Sequence, residues 1–245
     1  MGWMAEDWST EVGVPYEAPS AAHWFGTDVL GRSVWSKVLK GTEVAMSIGL
    51  VVALISVIIG TLLGATAGYF GGWVDELVVW MYTAVASVPS IMLLISITLV
   101  IGKGDLGLYI SLALTSWVEV CRLIRGEVKK HKEQEYVQAV TALGAGHMRK
   151  LFLHILPNVV HILIVRFSLT FQYAIKAEVI LSYLGIGVQN KPSWGIMIDD
   201  AKVELMRGVW WQLTFATAAM FCIVLAFNVL GDALRDALDP KLRDK

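Results

Sequence analysis

Three stretches of this chain carry no charged side chain: Val44 to Val74, Leu77 to Gly102 and Gly208 to Gly231. Each exceeds the ~20 residues that cross a bilayer core as a helix, so length alone predicts three membrane spans. Composition agrees, with 56% hydrophobic residues and a mean hydropathy of +0.62, well above the soluble average. A shorter run, Leu106 to Val118, spans if Glu119, Val120 and Cys121 extend it to Arg122, whose long side chain snorkels toward headgroups. Ile155 to Leu184 is apolar too, yet it carries His161, Arg166, Lys176 and Glu178. It is either a fifth span with costly internal charges or a buried core helix. The fold class that follows is an all-α polytopic membrane protein of about five transmembrane helices.

The formal net charge of -1 says little, because the distribution of charge matters more than its sum in a membrane protein. Cys121 and Cys222 lie in or at predicted spans and read as buried thiols, with no disulfide framework. The opening stretch MGWMAEDWSTEVGVPYEAPS has neither the basic region nor the apolar core of a signal peptide.

Topology is set by cations. The segment Arg122 to Lys150 is rich in Lys and Arg and should be cytoplasmic, as should the tail with Arg235, Lys241, Arg243 and Lys245. Both hold only if Ile155–Leu184 crosses outward and Gly208–Gly231 returns, which leaves residues 185–208 outside. That segment has Gly, Asn, Pro and Trp in its first half and an amphipathic pattern in its second, the pattern of a structured interfacial hairpin. Counting backward puts the N-terminus outside as well, against the weak positive-inside bias of Arg32, Lys37 and Lys40. The expected organisation is an N-terminal external or interfacial segment 1–43, a permeating membrane domain 44–232 and a cytoplasmic tail 233–245. Within the membrane domain lie a cytoplasmic insert, 122–154, and the external segment, 185–208.

In the first span Ser56, Gly60, Gly64 and Gly68 recur every four residues, a small-residue face that lets another helix approach closely; a glycine hinge is the alternative. Pro89 in SVPS removes a backbone donor and predicts a kink in the second span, either structural or pore-shaping.

The insert EYVQAVTALGAGHMRKLFLHILPN is different material. Tyr136, Ala139, Val140 and Leu143 share one helical face, Gly144 and Gly146 break that helix, and a second short helix, His147 to Leu153, follows. Pro157, lacking a donor, suits the first turn of the next membrane helix. An apolar stripe this short needs a cover, and spacing alone leaves a partner protein and an anionic lipid surface equally open.

The same residues resemble the EAA loop of ABC-importer permeases, a pattern of Glu-Ala-Ala, three residues, Gly, nine residues and Ile-x-Leu-Pro. Gly144, Leu156 and Pro157 fall in register and Ala139 matches the first alanine; Gln138 replaces the glutamate, Val140 the second alanine, and Glu135 stands upstream. HWFGTDVLGRSVWSKVLKG (23–41), GTLLGATAGYFGGWVDE (60–76), AEVILSYLGIGVQNKPSWG (177–195) and LAFNVLGDALRDALDPKLR (225–243) are similar to the C-type permease of the dipeptide, oligopeptide and nickel subfamily. That resemblance implies a partner protein for the insert: an ATPase that receives the ATPase-coupling residues Glu135, Gln138, Ala139, Leu143, Gly144, Leu156 and Pro157. It further implies a second homologous permease, two nucleotide-binding subunits and an external solute-binding protein. The setting is a bacterial or archaeal cytoplasmic (inner) membrane, with lipid around the helices and no nucleic acid. The subfamily also carries a further membrane helix before HWFGTD, so the natural chain is expected either to start upstream or to translocate a short N-terminal tail.

No Walker A sequence occurs, so no cofactor is expected on this chain, and ATP is expected to be used by the partner subunits. Arg166, Lys176 and Glu178, with Pro89, are candidates for the translocation path, where a cation and a carboxylate would complement the two ends of a peptide. Alternatively, Arg166 and Lys176 pair with acids of the partner permease, or Lys176 and Glu178 sit at the outer interface. His147, His154 and His161 repeat every seven residues, but neighbours two turns, ~10 Å, apart cannot share one metal. Asp199 and Asp200 have no nucleophile or base in register, which argues against an intramembrane enzyme. A membrane-anchored scaffold that recruits a cytoplasmic partner without transport is the other class of reading.

Overall fold

The computed structural model describes residues 5–238; Lys241, Arg243 and Lys245 of the expected tail lie outside the described residues. From Val34 on, the described chain is mainly helical: α1 (Val34–Phe70), α2 (Gly72–Ala86), α3 (Ser90–Ile101), α4 (Asp105–Lys132), α5 (Glu135–Ala142), α6 (His147–Arg149), a π-helical stretch (Lys150–Ile155), α7 (Leu156–Tyr183), α8 (Trp194–Leu205) and α9 (Trp211–Leu238); the described residues before it form turns with the isolated bridges Glu11–Arg32 and Thr27–Ser33. Four helices are long and apolar enough to cross a membrane, or five if α2 and α3 form one broken span. The contacts divide the chain into two compact units. The first holds the described residues up to Val51 with Leu94–Ser111 and Gln172–Phe227; the second holds Val52–Leu93, Leu112–Phe171 and the described residues from Asn228.

In the first unit α1 starts at Val34, inside the segment expected to precede the first span. Ser33 begins it, its hydroxyl accepting from the Ser36 amide at 3.4 Å, as an N-cap residue does. The extension carries Lys37, Lys40 and Glu43 into the helix, all buried. It is tolerable because each charge is met: Lys37 Nζ donates to Asp28 Oδ2 at 3.0 Å and Gln212 Oε1 at 2.9 Å, and Lys40 Nζ to Glu43 Oε2 at 2.9 Å. Residues 185–208 are structured as expected. Ser193 caps α8, Trp194, Met197 and Ala201 are fully buried, and the Trp194 indole donates to the Val38 carbonyl at 3.3 Å.

In the second unit the small-residue face of α1 meets α4 backbone to backbone. A Cβ at Gly60 would sit 2.6 Å from Val120 Cβ, one at Gly64 2.5 Å from the Cys121 carbonyl oxygen, and one at Gly68 2.6 Å from that of Arg125. The series is a packing face, so the hinge alternative is not needed to explain it. Gly71 and Gly72, at φ +70 and +53, then let the chain turn from α1 into α2.

The break expected at Pro89 is sharper than a kink: α2 and α3 are separate helices bent by 89° there, as in a broken span or a re-entrant loop. Pro89 disfavours helical geometry at Val88 and supplies no donor, while the Ser87 hydroxyl takes up the Ala84 carbonyl at 2.7 Å, so α2 ends there. The cations Arg122, Arg125, Lys129, Lys130 and Lys132, at the start of the expected cytoplasmic insert, belong to α4. They form the last turns of α4, where they suit the negative end of the helix dipole, and Asp75 at the start of α2 receives two of them.

Overpacking at the α1–α4 contact has no room to relax because the opposing atoms are backbone. Gly64→Leu is expected to destabilise the protein by about 1–3 kcal/mol or more, read as a lower midpoint of thermal unfolding in detergent. Gly126→Ala, where an added Cβ meets nothing within 4 Å, is expected to be neutral or stabilising.

Candidate functional site

The glycine corner is built on a single anchor. Of α5, only Val137 is buried, and it joins Ala65 and Tyr69 of α1, Val120, Ile124 and Val128 of α4, and Leu151, Ile155 and Val159 below it. The stripe residues face outward instead: Leu143 is 86% exposed, and Ala139 and Tyr136 are exposed too. Periodicity identified the helix but not which face is held. Val137 went unnoticed because one valine between Tyr136 and Gln138 carries no pattern of its own.

The corner itself is a Schellman C-cap. The Ala145 amide donates to the Val140 carbonyl at 3.2 Å and that of Gly144 to Thr141 at 2.9 Å, with Gly144 at φ +80. A side chain at Gly144 would meet nothing within 4 Å, so the backbone conformation alone demands glycine there. Further ties hold the corner. Lys150 Nζ reaches Thr141 Oγ1 at 3.3 Å, His147 Nδ1 lies 3.0 Å from the Tyr69 hydroxyl, and His131 Nδ1 lies 2.9 Å from that of Tyr136.

After Gly146 the chain does not form a separate short helix, contrary to expectation. The helix from His147 runs to Tyr183 without interruption, with Lys150–Ile155 widened into π geometry just before Leu156 and Pro157. A π stretch shifts the hydrogen-bond ladder, which lets a residue without an N–H sit in a continuous helix. Leu156 is half-buried and Pro157 exposed. Glu135 and Gln138 are exposed, and the Gln138 amide donates to the Glu133 carbonyl at 3.1 Å.

A clamp missed in the sequence lies in the same unit. Asp75 accepts from Arg125 Nε, from Arg125 Nη2 at 2.8 Å and from Lys129 Nζ at 2.7 Å, tying the start of α2 to the end of α4. Tyr69 also lies under the Lys132 ammonium, 5.6 Å from ring to nitrogen, within cation–π reach.

The path candidates are placed differently from one another. Arg166 approaches Glu119 at 3.7 Å and lines a cavity of about 440 Å3 with His161 and Arg235, between Leu123, Ile162 and Leu169. Lys176 is exposed. Glu178 has no exposure: the Ser182 hydroxyl donates to its Oε1 at 2.7 Å, and the same hydroxyl accepts from the Val188 amide at 3.1 Å, so this carboxylate braces the turn after α7. Pro89 is exposed at the α2–α3 break.

The described helices thus give an apolar membrane domain with an exposed helical corner fused to one of its spans. The chain belongs to the family of binding-protein-dependent transport system inner membrane components, whose profile matches residues 60–244. It is 40% identical over 235 residues to the dipeptide transport system permease protein DppC of Bacillus subtilis, covering 96% of this chain and 72% of that one. The oligopeptide transport system permease protein OppC of the same organism is 40% identical over 227 residues, 92% and 74% of the two chains. The glutathione transport system permease protein GsiD of Pectobacterium atrosepticum is 38% identical over 228 residues, 93% and 75%. A chain of the inward-facing MetNI methionine ABC transporter superposes with a TM-score of 0.69 at 15% identity, over 83% of this chain and 96% of that one, which shows a shared fold. This protein is a membrane-embedded ABC-transporter permease subunit, and the scaffold reading falls away.

On the first unit, α8 carries a carboxylate out of its ordinary range. Glu204 is buried with Oε2 unpartnered. Burial pushes its pKa from 4.5 to about 7, Lys37 opposing this and Asp200 and Asp28 reinforcing it; burial lifts Asp200 as well. Between those two values of Glu204 the folded state keeps a proton that the unfolded chain has lost, so stability falls as pH rises from 4.5 to about 7 and then levels. Glu204→Gln is expected to weaken that slope and to raise the unfolding midpoint above neutral pH, as measured by thermal unfolding across pH.

Proposed function

We propose that this permease subunit imports di- or oligopeptides, or a related solute, across a bacterial or archaeal cytoplasmic membrane. It would do so with a second homologous permease, two ATPase subunits that bind and hydrolyse ATP, and an external solute-binding protein. The solute class is supported by the dipeptide, oligopeptide and glutathione permeases to which the chain is similar.

The observation that carries the coupling step is the outward-facing corner of α5, Gly144 and α6, continuous through the π stretch with α7. Leu143 and Ala139, exposed beside a glycine with open space around it, form a small apolar knob that fits a groove on the ATPase. Glu135 and Gln138 flank it with polar contacts. Because His147 begins the same helix that ends at Tyr183, a displacement of the knob moves that helix as a body, as a transition between two packings requires.

Gly146 separates docking from folding. Its φ of -70 is ordinary and an added side chain meets nothing within 4 Å, so Gly146→Trp enlarges the knob and leaves the chain unstrained. ATP-coupled uptake and co-purification of the ATPase are expected to fall roughly ten-fold or more, with the unfolding midpoint of the permease unchanged. Normal values of both would overturn the assignment.

Arg166, with Arg235 and His161 on its cavity, is proposed to attract the anionic end of the solute along the path. Arg166→Ala is expected to raise the KM for uptake while partner-permease assembly, followed by co-purification, stays intact. Loss of assembly would show instead that Arg166 pairs with the partner.

A further inference from the structure

A cavity of about 330 Å3 in the first unit has a charge pattern that the coupling role does not use. Lys40, Glu43 and Ser47 line it from one face of α1, Tyr109 from α4 and Lys191 from the segment after α7, with Ile48 as apolar floor. Lys40 and Glu43 are paired at 2.9 Å and both are 8% exposed. Lys191 Nζ is 2.5 Å from Asp105 Oδ2, while Asp105 Oδ1, itself buried, has no hydrogen-bond partner. Ser47 Oγ and the Tyr109 hydroxyl share a hydrogen bond of 2.9 Å.

A buried ion pair beside a cavity is weak as a stabilising device, since desolvation offsets most of its attraction and an apolar pair would serve the fold as well. Two ammonium groups and one carboxylate on one cavity, with Asp105 behind Lys191, do something else. They accept a ligand that carries one charge of each sign, because such a ligand exchanges partners with the resident pairs and adds no net charge to a low-dielectric site. Its carboxylate takes the place of Glu43 and Asp105 toward the lysines, and its ammonium takes the place of Lys40 toward Glu43. The Ser47 and Tyr109 hydroxyls suit an amide, and the volume lies at the small end of ligand pockets, ~300–1,000 Å3. Lys191 belongs to the 185–208 segment expected outside, where a solute would arrive.

We propose that this cavity is a binding subsite for a zwitterion of amino-acid or dipeptide size. Lys40 and Lys191 hold its carboxylate, and Glu43 holds its ammonium. The proposal rests on the importer reading and gives it a site.

The test uses the assembled complex of both permeases and the ATPases in lipid nanodiscs, without the external binding protein, and radiolabelled dialanine in equilibrium dialysis. Saturable binding is expected, competed by unlabelled dialanine and not by N-acetyl-dialanine amide. Glu43→Gln and Lys191→Met should each weaken it about ten-fold or more, the loss of one charged hydrogen-bond partner. Lys191 is partly exposed, so its replacement leaves the fold in place, and co-purification of the ATPases checks both variants. Absence of saturable binding, equal binding by the variants, or equal competition by the blocked compound would overturn the subsite. Dialanine uptake by the complete importer, run in parallel, separates the two levels. Uptake without binding to the nanodisc complex sinks the subsite alone, and absence of both sinks the peptide reading with it.

Discussion

Within the second unit the rest of the architecture depends on the contact in which Gly60, Gly64 and Gly68 of α1 lie against the backbone of α4. Hydrocarbon tails are as apolar as leucine, so helices in a bilayer gain little from burying apolar side chains against each other. Close backbone approach, with its dispersion contacts, takes over that role. Here the approach sets the register of α4 against α1, and the register has consequences at the end of both helices. It places Arg125 and Lys129 over Asp75, and Ile124 and Val128 where Val137 and Leu151 complete the cluster. Tyr69, on the last turn of α1, is then in reach of His147 and Lys132. The glycine corner is positioned by this chain of contacts and has little core of its own.

Charge follows a consistent logic. Ionised groups are expensive in an apolar helix unless paired or directed to a cavity, and several charges of α1, α4 and α7 have partners. Lys37 meets Asp28 and Gln212, Lys40 meets Glu43, Arg125 meets Asp75, and Arg166 meets Glu119. Glu178 is met by Ser182 at Oε1, while its Oε2, like that of Glu204, has no hydrogen-bond partner among the described residues. Both unpaired-looking acids brace or border the segment between α7 and α9, where local packing replaces lipid as the surrounding medium.

Much of this was legible in order of residues. Apolar length found the spans, the four-residue glycine period found the α1 packing face, and the insert announced a helix and a glycine corner, though not that the helix after it continues into α7. Charge was where reading by composition failed. Lys37 and Lys40 hid the first turns of α1 because a run of cations looks like a loop until its acids are seen. The cations from Arg122 to Lys132 mark the cytoplasmic insert, yet they continue α4, where Asp75, far away in sequence, pairs with Arg125 and Lys129. Pro89 was read as a kink because the sequence shows the missing donor but not whether neighbouring groups restore the ladder; Ser87 caps α2 instead.

What the sequence by itself determined is what depends on local chemistry and length: an all-helical membrane chain, its spans, the glycine at φ +80 that turns the corner, and the motif order that marks the permease family. What only the tertiary structure decided is which side of each helix is spent on internal contacts. Val137 rather than the Tyr136–Leu143 stripe anchors α5, Glu178 turns inward, and Lys40, Glu43, Tyr109 and Lys191 converge on one cavity from three separate parts of the chain. Periodicity specifies a face, but the occupant of that face is set by partners distant in sequence, and those appear only when the helices are packed.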